Sequence, residues 1–169
     1  MLINNKYEII QLIGKGGFSK VYLAKHVITN EYVAIKMEKL RTSTPLLKSE
    51  AEIYICLQKR KLDISPKFKG YGTYKTNTYM VLEFLDTSLV SIIKDKKTIS
   101  FNIVCKIGYQ MITLLKTLHD QCILHRDIKP GNFVFSKDKT LKIIDFGLSK
   151  LYIIDNLHIP YKEDYKMIG

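Results

Sequence analysis

Residues 125–132 read His-Arg-Asp-Ile-Lys-Pro-Gly-Asn, and residues 145–147 read Asp-Phe-Gly. In the first segment Asp127 has the chemistry to orient and deprotonate a hydroxyl nucleophile. Lys129, two residues later, can stabilise negative charge on a group in transfer. An isolated aspartate in such a segment is usually no more than the cap of a turn, so the interpretation depends on the combination.

Two short apolar runs, at 133–135 and 141–144, separate these segments and flank a polar turn. Runs of this kind predict a β-hairpin, which would bring the end of the first segment beside the start of the second. Asn132 and Asp145 would then meet, and amide and carboxylate oxygens are ligands that Mg²⁺ prefers.

A glycine cluster, Gly14-Lys-Gly-Gly, lies between two strand-like runs at 7–13 and 18–25. Gly14 and Gly16 allow the backbone to approach a triphosphate and to point N–H groups toward it. Strand follows strand here, which excludes the strand-to-helix loops of dinucleotide-binding and Walker-type proteins. Ser19 stands where the third glycine of G-x-G-x-x-G would be, and a glycine-rich hairpin alone is commonly just a turn.

A third predicted strand, 32–37, contains Val-Ala-Ile-Lys, whose last residue is Lys36. A lysine on a rigid strand can bind phosphates if a carboxylate holds its ammonium group in place. Apolar spacing predicts a helix over 46–57, and Glu50 in that helix is the natural partner. Glu52 competes with it for the same ammonium group.

The rest of the chain changes from strand-like to helical patterns, with a seam near 83–86. Apolar residues at helical spacing predict a long amphipathic helix from 101 to 120. The other predicted elements are a strand pair at 71–74 and 79–84, a short helix at 88–94 and an irregular stretch at 151–169. This order indicates an α+β fold.

Composition narrows the class of protein further. The chain has 169 residues, 46% of them hydrophobic and 25% charged, which fits one globular domain. A net charge of +11 suits anionic partners, but the lysines are scattered and no nucleic-acid motif is visible, so no specific nucleic-acid partner is expected. The polar start and the lack of a long apolar run predict neither a signal peptide nor a membrane span. Three widely spaced cysteines fit a reducing, intracellular location, in the cytoplasm or the nucleus.

Four motifs occur here in the order of the protein-kinase signature set. They are the glycine loop, Val-Ala-Ile-Lys, His-Arg-Asp-x-x-x-x-Asn and Asp-Phe-Gly. The chain therefore resembles the eukaryotic protein-kinase family over nearly all of Tyr7 to Gly169. Within that family, the chain resembles most the casein kinase I group. The resemblance lies in residues 125–133, residues 143–150 and His158-Ile-Pro-Tyr161. The Lys-Pro-x-Asn form of the loop resembles serine/threonine rather than tyrosine kinases.

The resemblance implies one kinase domain over 1–169, with a bilobal fold. An antiparallel β N-lobe with one helix would occupy about 1–84, and a partial, helical C-lobe about 85–169. ATP would bind between the lobes with Mg²⁺, and its γ-phosphoryl group would be transferred to a Ser or Thr hydroxyl of a protein substrate.

By the same resemblance, both lobes supply the site. The adenine contacts would be Ile13, Val21, Ala34, the gatekeeper Leu82, Val134 and the backbone of Glu83 and Leu85. The phosphate contacts would be Gly14, Gly16 and Lys36, held by Glu50. Mg²⁺ would be held by Asn132 and Asp145, and the catalytic groups would be Asp127, Lys129 and Lys36, with His125 and Phe146 packed behind them.

The chain resembles a C-terminally truncated family member, because the family's buried central helix would follow residue 169. Without that helix, the apolar face at Ile107, Met111, Leu114 and Leu118 is expected to be uncovered, at a cost of several kcal/mol. A partly molten lobe, a completing partner chain or self-association through this face would follow. Two functions therefore stay open: an active kinase, and a non-catalytic nucleotide-binding pseudokinase or decoy.

Overall fold

The computed structural model describes residues 1–17, 19–40, 45–95, 98–154 and 157–160. Several sequence-based expectations fall outside these ranges. They concern Phe18 at the start of the second predicted strand, Tyr161 of the His-Ile-Pro-Tyr motif and the last residues of the stretch at 151–169.

The first half of the chain forms an antiparallel sheet with one helix. Its elements are β1 (Leu2–Ile3), β2 (Tyr7–Lys15), β3 (Ser19–His26), β4 (Tyr32–Lys39), α1 (Leu47–Lys59), β5 (Phe68–Tyr74) and β6 (Asn77–Glu83). The spatial order of the strands is β1-β2-β3-β4-β6-β5. Alternating side chains give β6 two buried faces: Tyr79 and Val81 join a cluster within the sheet, whereas Met80 and Leu82 join the cluster that contains α1.

The described part of the second half contains two α-helices, two 3₁₀ helices (Pro130–Asn132 and Phe146–Leu148) and several short strands. Its elements are β7 (Thr87–Ser88), α2 (Leu89–Asp95), α3 (Phe101–His119), β8 (Ile123–Leu124), β9 (Phe133–Phe135), β10 (Leu141–Ile143), β11 (Lys150–Leu151), β12 (Ile153–Ile154) and β13 (Leu157–His158). The small sheets have the orders β10-β9-β7, β11-β8 and β12-β13. Phe133, Ile143 and Phe146 are fully buried and join these elements to α1 in one core.

The expected exposure of the apolar stripe on α3 is wrong. Leu118 and Leu114 are buried, and Ile107 and Met111 pack against the same core, which also contains residues of β8, β9 and β10. The short strands of this half therefore cover Leu114 and Leu118 and partly cover Ile107 and Met111. The exposed apolar side chains of α3 are instead Phe101, Ile103, Val104, Tyr109 and Ile112.

The polar start of the chain contains β1, whose Ile3 is completely buried. One further expectation needs correction. The stretch after 150 is not irregular throughout, because β11 pairs with β8 and β12 pairs with β13. Two-residue strands are too short to show the alternation by which strands are recognised in a sequence.

Within the described ranges, no helix combines the length and the apolar composition needed to cross a bilayer. The three cysteines, Cys56, Cys105 and Cys122, are free thiols.

Candidate active site

The hairpin predicted between the two signature segments is present. β9 and β10 pair antiparallel, with Val134 opposite Lys142. The N–H of Ile144 donates to the backbone carbonyl of Asn132 at 2.9 Å. This bond places Asp145, the next residue along the chain, beside Asn132, as the sequence predicts.

Asn132 organises the loop that contains Asp127. Its side-chain Nδ2 donates to the backbone carbonyl of Asp127 at 2.8 Å and to the Asp127 Oδ2 at 3.0 Å. The Lys129 Nζ lies 2.7 Å from the same Oδ2. Because the Asn132 nitrogen is used in this way, its Oδ1 remains as the ligand atom, and one Asp127 carboxylate oxygen is fixed by two donors.

Lys36 joins the two halves of the site. Its Nζ lies 2.7 Å from the Glu50 Oε2 and 2.7 Å from the Asp145 Oδ1. Glu50 is 1% exposed, whereas Glu52 is exposed on the outer side of α1. Of the two carboxylates that the sequence left open, Glu50 is therefore the partner of Lys36.

These contacts form one connected set. It runs from Lys36 to Asp145, passes through the backbone bond between Ile144 and Asn132, and reaches Asp127. Residues 7–163, nearly the whole chain, match the family described as "Protein kinase domain". The chain belongs to the protein kinase family. The α+β, bilobal protein-kinase-like fold expected from the sequence is thereby confirmed, while the lobe boundary near residue 84 stays a prediction.

A curated relative points in the same direction. A protein of Dictyostelium discoideum named as a probable serine/threonine-protein kinase is 33% identical over 162 residues. The match covers 90% of this chain and 32% of the relative, so the chain spans about a third of the length of that curated relative.

In this kinase fold, the register of the sheet brings the expected adenine residues onto adjacent strands. Gly14 pairs with Val21, and Ala34 pairs with Leu82. Val21 lies opposite Lys36 and two residues from Leu23, the partner of Ala34, so these side chains share one face of the sheet. Ile13 is half-exposed at the end of β2, and Val134 is buried on β9.

Two of the expected backbone contacts are already engaged. The N–H of Glu83 donates to the carbonyl of Lys67 at 2.9 Å, which leaves the Glu83 carbonyl for an adenine edge. The N–H of Gly16 donates to the carbonyl of Ser19 at 2.9 Å and closes the turn between β2 and β3. A phosphate contact by Gly16 therefore requires this bond to open.

A cavity of about 1110 Å³ lies next to the segment between the halves. Its lining includes Glu83 and Leu85 together with the β9–β10 turn at 136–139. Val21, Ala34 and Lys36 are not part of its lining, so this cavity lies beside the expected adenine site.

Burial and ion pairing set the charge states of the site. Burial alone would lower the pKa of Lys36, but the attraction of Glu50 and Asp145 exceeds that effect and raises it. Burial raises the pKa of Glu50, and Lys36 offsets part of the increase. The hydrogen bond from Lys129, assisted by Asn132, lowers the pKa of Asp127, so its carboxylate is ionised at neutral pH.

The available oxygen ligands fit Mg²⁺. Asp145 offers a carboxylate and Asn132 an amide carbonyl, both of the hard oxygen type that this ion takes. No group of three or more His, Cys, Asp or Glu side chains suited to a metal occurs in the described part of the chain. A cation that keeps water and phosphate oxygens as its other ligands suits such a pair.

The structure adds a residue that the sequence analysis missed. The N–H of Asp145 donates to the Tyr54 hydroxyl at 3.1 Å, and the Tyr54 ring packs edge-on against Phe146, with their centroids 4.8 Å apart. Tyr54 is four residues after Glu50, so both project from one face of α1. That spacing was visible in the sequence, but position 54 also fits an ordinary core position.

The stability of the fold should depend on pH through His125. Its ring is 1% exposed, its Nε2 lies 3.0 Å from the Ile144 carbonyl, and its Nδ1 accepts the Asp127 N–H. Burial lowers the pKa of His125 below its usual 6.5, so the folded state favours the neutral ring. We expect the free energy of unfolding to fall as the pH drops below about 6.5, by at most about 1.4 kcal/mol per pH unit.

Urea unfolding between pH 5 and 8 would measure this dependence. In the His125→Gln variant, the free energy of unfolding should fall less steeply as the pH is lowered. The His158→Gln variant, which changes an exposed histidine, should keep the wild-type slope of the free energy against pH. Equal slopes for the wild type and His125→Gln would contradict the assignment.

Proposed function

We propose that the chain is an ATP-dependent protein serine/threonine kinase that transfers the γ-phosphoryl group of ATP to Ser or Thr hydroxyls of a protein substrate. The observation that carries this proposal is the connected set of contacts from Lys36 to Asp127, which spans both halves of the fold. The name of the Dictyostelium relative supports the serine/threonine class.

Each residue of this set has a role in the proposed reaction. Lys36, held by Glu50, would bind the phosphates, and Asp127 would orient the substrate hydroxyl and accept its proton. Lys129 would stabilise the charge of the phosphoryl group in transfer. Asn132 and Asp145 would hold Mg²⁺, which when bound neutralises phosphate charge. In phosphoryl transfer, positioning and charge stabilisation supply most of the rate enhancement.

The adenine ring would bind against Ile13, Val21, Ala34 and Val134, with hydrogen bonds to the backbone of Glu83 and Leu85. Gly14 and Gly16 would contact the phosphates once the turn of the glycine loop opens. The nucleotide would then lie between an N-lobe of about 1–84 and the C-lobe that follows it.

A finer assignment to the casein kinase I type rests on the sequence of 125–133, on 143–150 and on the His-Ile-Pro segment from His158. Casein is therefore the first protein substrate to test.

A specific observation favours a second candidate, a non-catalytic nucleotide-binding module. The Lys36 Nζ lies 2.7 Å from the Asp145 Oδ1. A metal ion would need this same carboxylate as a ligand. If this pair persists when nucleotide binds, the site holds ATP without aligning it for transfer.

One sample can separate these functions. Titration calorimetry measures the binding of ATP with and without Mg²⁺, and labelled ATP with casein measures transfer by the same preparation. Binding with transfer supports the kinase. Binding without transfer selects the second candidate, and the absence of binding rejects both.

A further inference from the structure

Glu38 is a buried acid that the proposed chemistry does not use. It is 4% exposed at the end of β4, and it contacts the start of α1. Its Oε1 accepts the N–H of Leu46 at 3.1 Å, and its Oε2 accepts the N–H of Leu47 at 3.3 Å. Both carboxylate oxygens therefore bind backbone groups that the first turn of a helix leaves without partners.

Glu38 and Lys36 contact the same helix from the same strand. The two residues are separated by one position on a strand, so they project from the same face. Their targets, Leu47 and Glu50, are three residues apart, which is about one helical turn. One face of β4 therefore contacts the first turn of α1 at two successive points.

The two contacts have opposite polarity. At Lys36 the strand supplies the cation and the helix supplies the carboxylate, whereas at Glu38 the strand supplies the carboxylate. A single ion pair would let the helix pivot about the Lys36 ammonium group. Two points of attachment fix both the rotation of the helix and its distance from the strand.

Burying a carboxylate costs free energy unless it is hydrogen-bonded, and the N-terminus of a helix supplies both donors and a favourable dipole. The charge of Glu38 also affects Glu50, whose pKa is raised mainly by burial and additionally by this neighbour. A second buried carboxylate that acts on Glu50 adds to the need for the Lys36 ammonium group beside Glu50.

We propose that Glu38 is a positioning residue of the kinase site, which holds the first turn of α1 so that Glu50 stays paired with Lys36. This inference rests on the proposed function of Lys36 as a phosphate ligand. Glu38 itself touches neither the expected nucleotide nor the expected metal ligands, and it acts through Glu50.

The test measures the reactivity of Lys36 without any nucleotide. An acylating ester, acetyl N-hydroxysuccinimide, labels unprotonated amines, and mass spectrometry gives the rate at Lys36 relative to the exposed Lys48. An ammonium group held between carboxylates reacts slowly. In Glu38→Gln we expect Lys36 to be labelled about fivefold faster. Loss of a helix cap worth about 1 kcal/mol would raise the fraction of molecules in which Lys36 is released from Glu50 by about this factor.

Glu52→Gln is the matched control, because it removes an exposed carboxylate from the same helix and should leave the labelling rate unchanged. Glu38→Asp is a second, milder variant. It keeps the charge but is too short to reach both N–H groups, so its rate should lie between those of the wild type and Glu38→Gln.

Wild-type labelling rates in both Glu38 variants, with only a lower melting temperature, would overturn the proposal and leave Glu38 a purely structural cap. Steady-state kinetics supply a second readout, in which Glu38→Gln should raise the KM for ATP more than it lowers kcat. If the wild type binds no ATP, the proposed function fails, while the labelling comparison still decides the role of Glu38.

Discussion

Replacing Asp127 by Asn should lower the rate of phosphoryl transfer to casein by a factor of about 10²–10⁴. The amide is nearly isosteric, but it cannot accept a hydroxyl proton, and it loses the ion pair with Lys129. Because Asp127 is outside the expected adenine contacts, the affinity for ATP should change little. Transfer of labelled phosphate, with ATP binding measured on the same sample, checks both expectations.

Two other variants make this experiment specific. Asp145→Asn should also lower transfer strongly, but it should weaken Mg²⁺-dependent nucleotide binding as well, because it removes an expected metal ligand. Asp138→Asn, in the exposed turn between β9 and β10, should leave transfer unchanged. Transfer retained by Asp127→Asn or Asp145→Asn would refute the assigned roles.

Replacing Lys36 by Met should lower the free energy of unfolding by about 3–5 kcal/mol, because it leaves the carboxylate of Glu50 buried without its cation. Nucleotide binding should be lost as well. The stability loss is large compared with the total of about 5–15 kcal/mol that holds a typical domain folded. Denaturant unfolding at pH 7 measures it directly.

The double variant Lys36→Met with Glu50→Leu separates stability from function. Replacing a buried ion pair by apolar side chains of similar size is often neutral or stabilising, so most of the lost stability should return. Nucleotide binding should not return. A double variant that is as unstable as Lys36→Met alone would show that Asp145, rather than Glu50, determines the cost.

Much of this fold could be predicted from the periodicity of its sequence. The nine-residue strand β2 and the nineteen-residue helix α3 lie within a few residues of their predicted bounds, because long elements repeat their apolar spacing several times. Strands of two residues such as β8 and β11 have no period to detect. The cover of α3 was mispredicted although the β9–β10 hairpin was expected, because periodicity within a segment does not show which other elements pack on its apolar face. Ile123 of β8, Phe133 of β9 and Ile143 of β10 share the core with the stripe of α3.

In the candidate site, the predicted hairpin was sufficient to bring Asn132 beside Asp145, and the family resemblance assigned Lys36 to the same site, where it contacts Asp145. The sequence could not indicate Tyr54 or Glu38, because their roles depend on hydrogen bonds to backbone groups far along the chain or across a loop. Nor does any side-chain pattern reveal the left-handed backbone of Asp145, with φ of 68° and ψ of 69°.

The ammonium group of Lys36 between two carboxylates has one more consequence. With Glu50 and Asp145 the cluster has a formal charge of −1, which would repel a bare triphosphate. A divalent ion reverses the sign of this local field, so nucleotide and ion should bind cooperatively. Because linkage is reciprocal, ATP should increase the affinity for Mg²⁺ by the same factor by which Mg²⁺ increases the affinity for ATP.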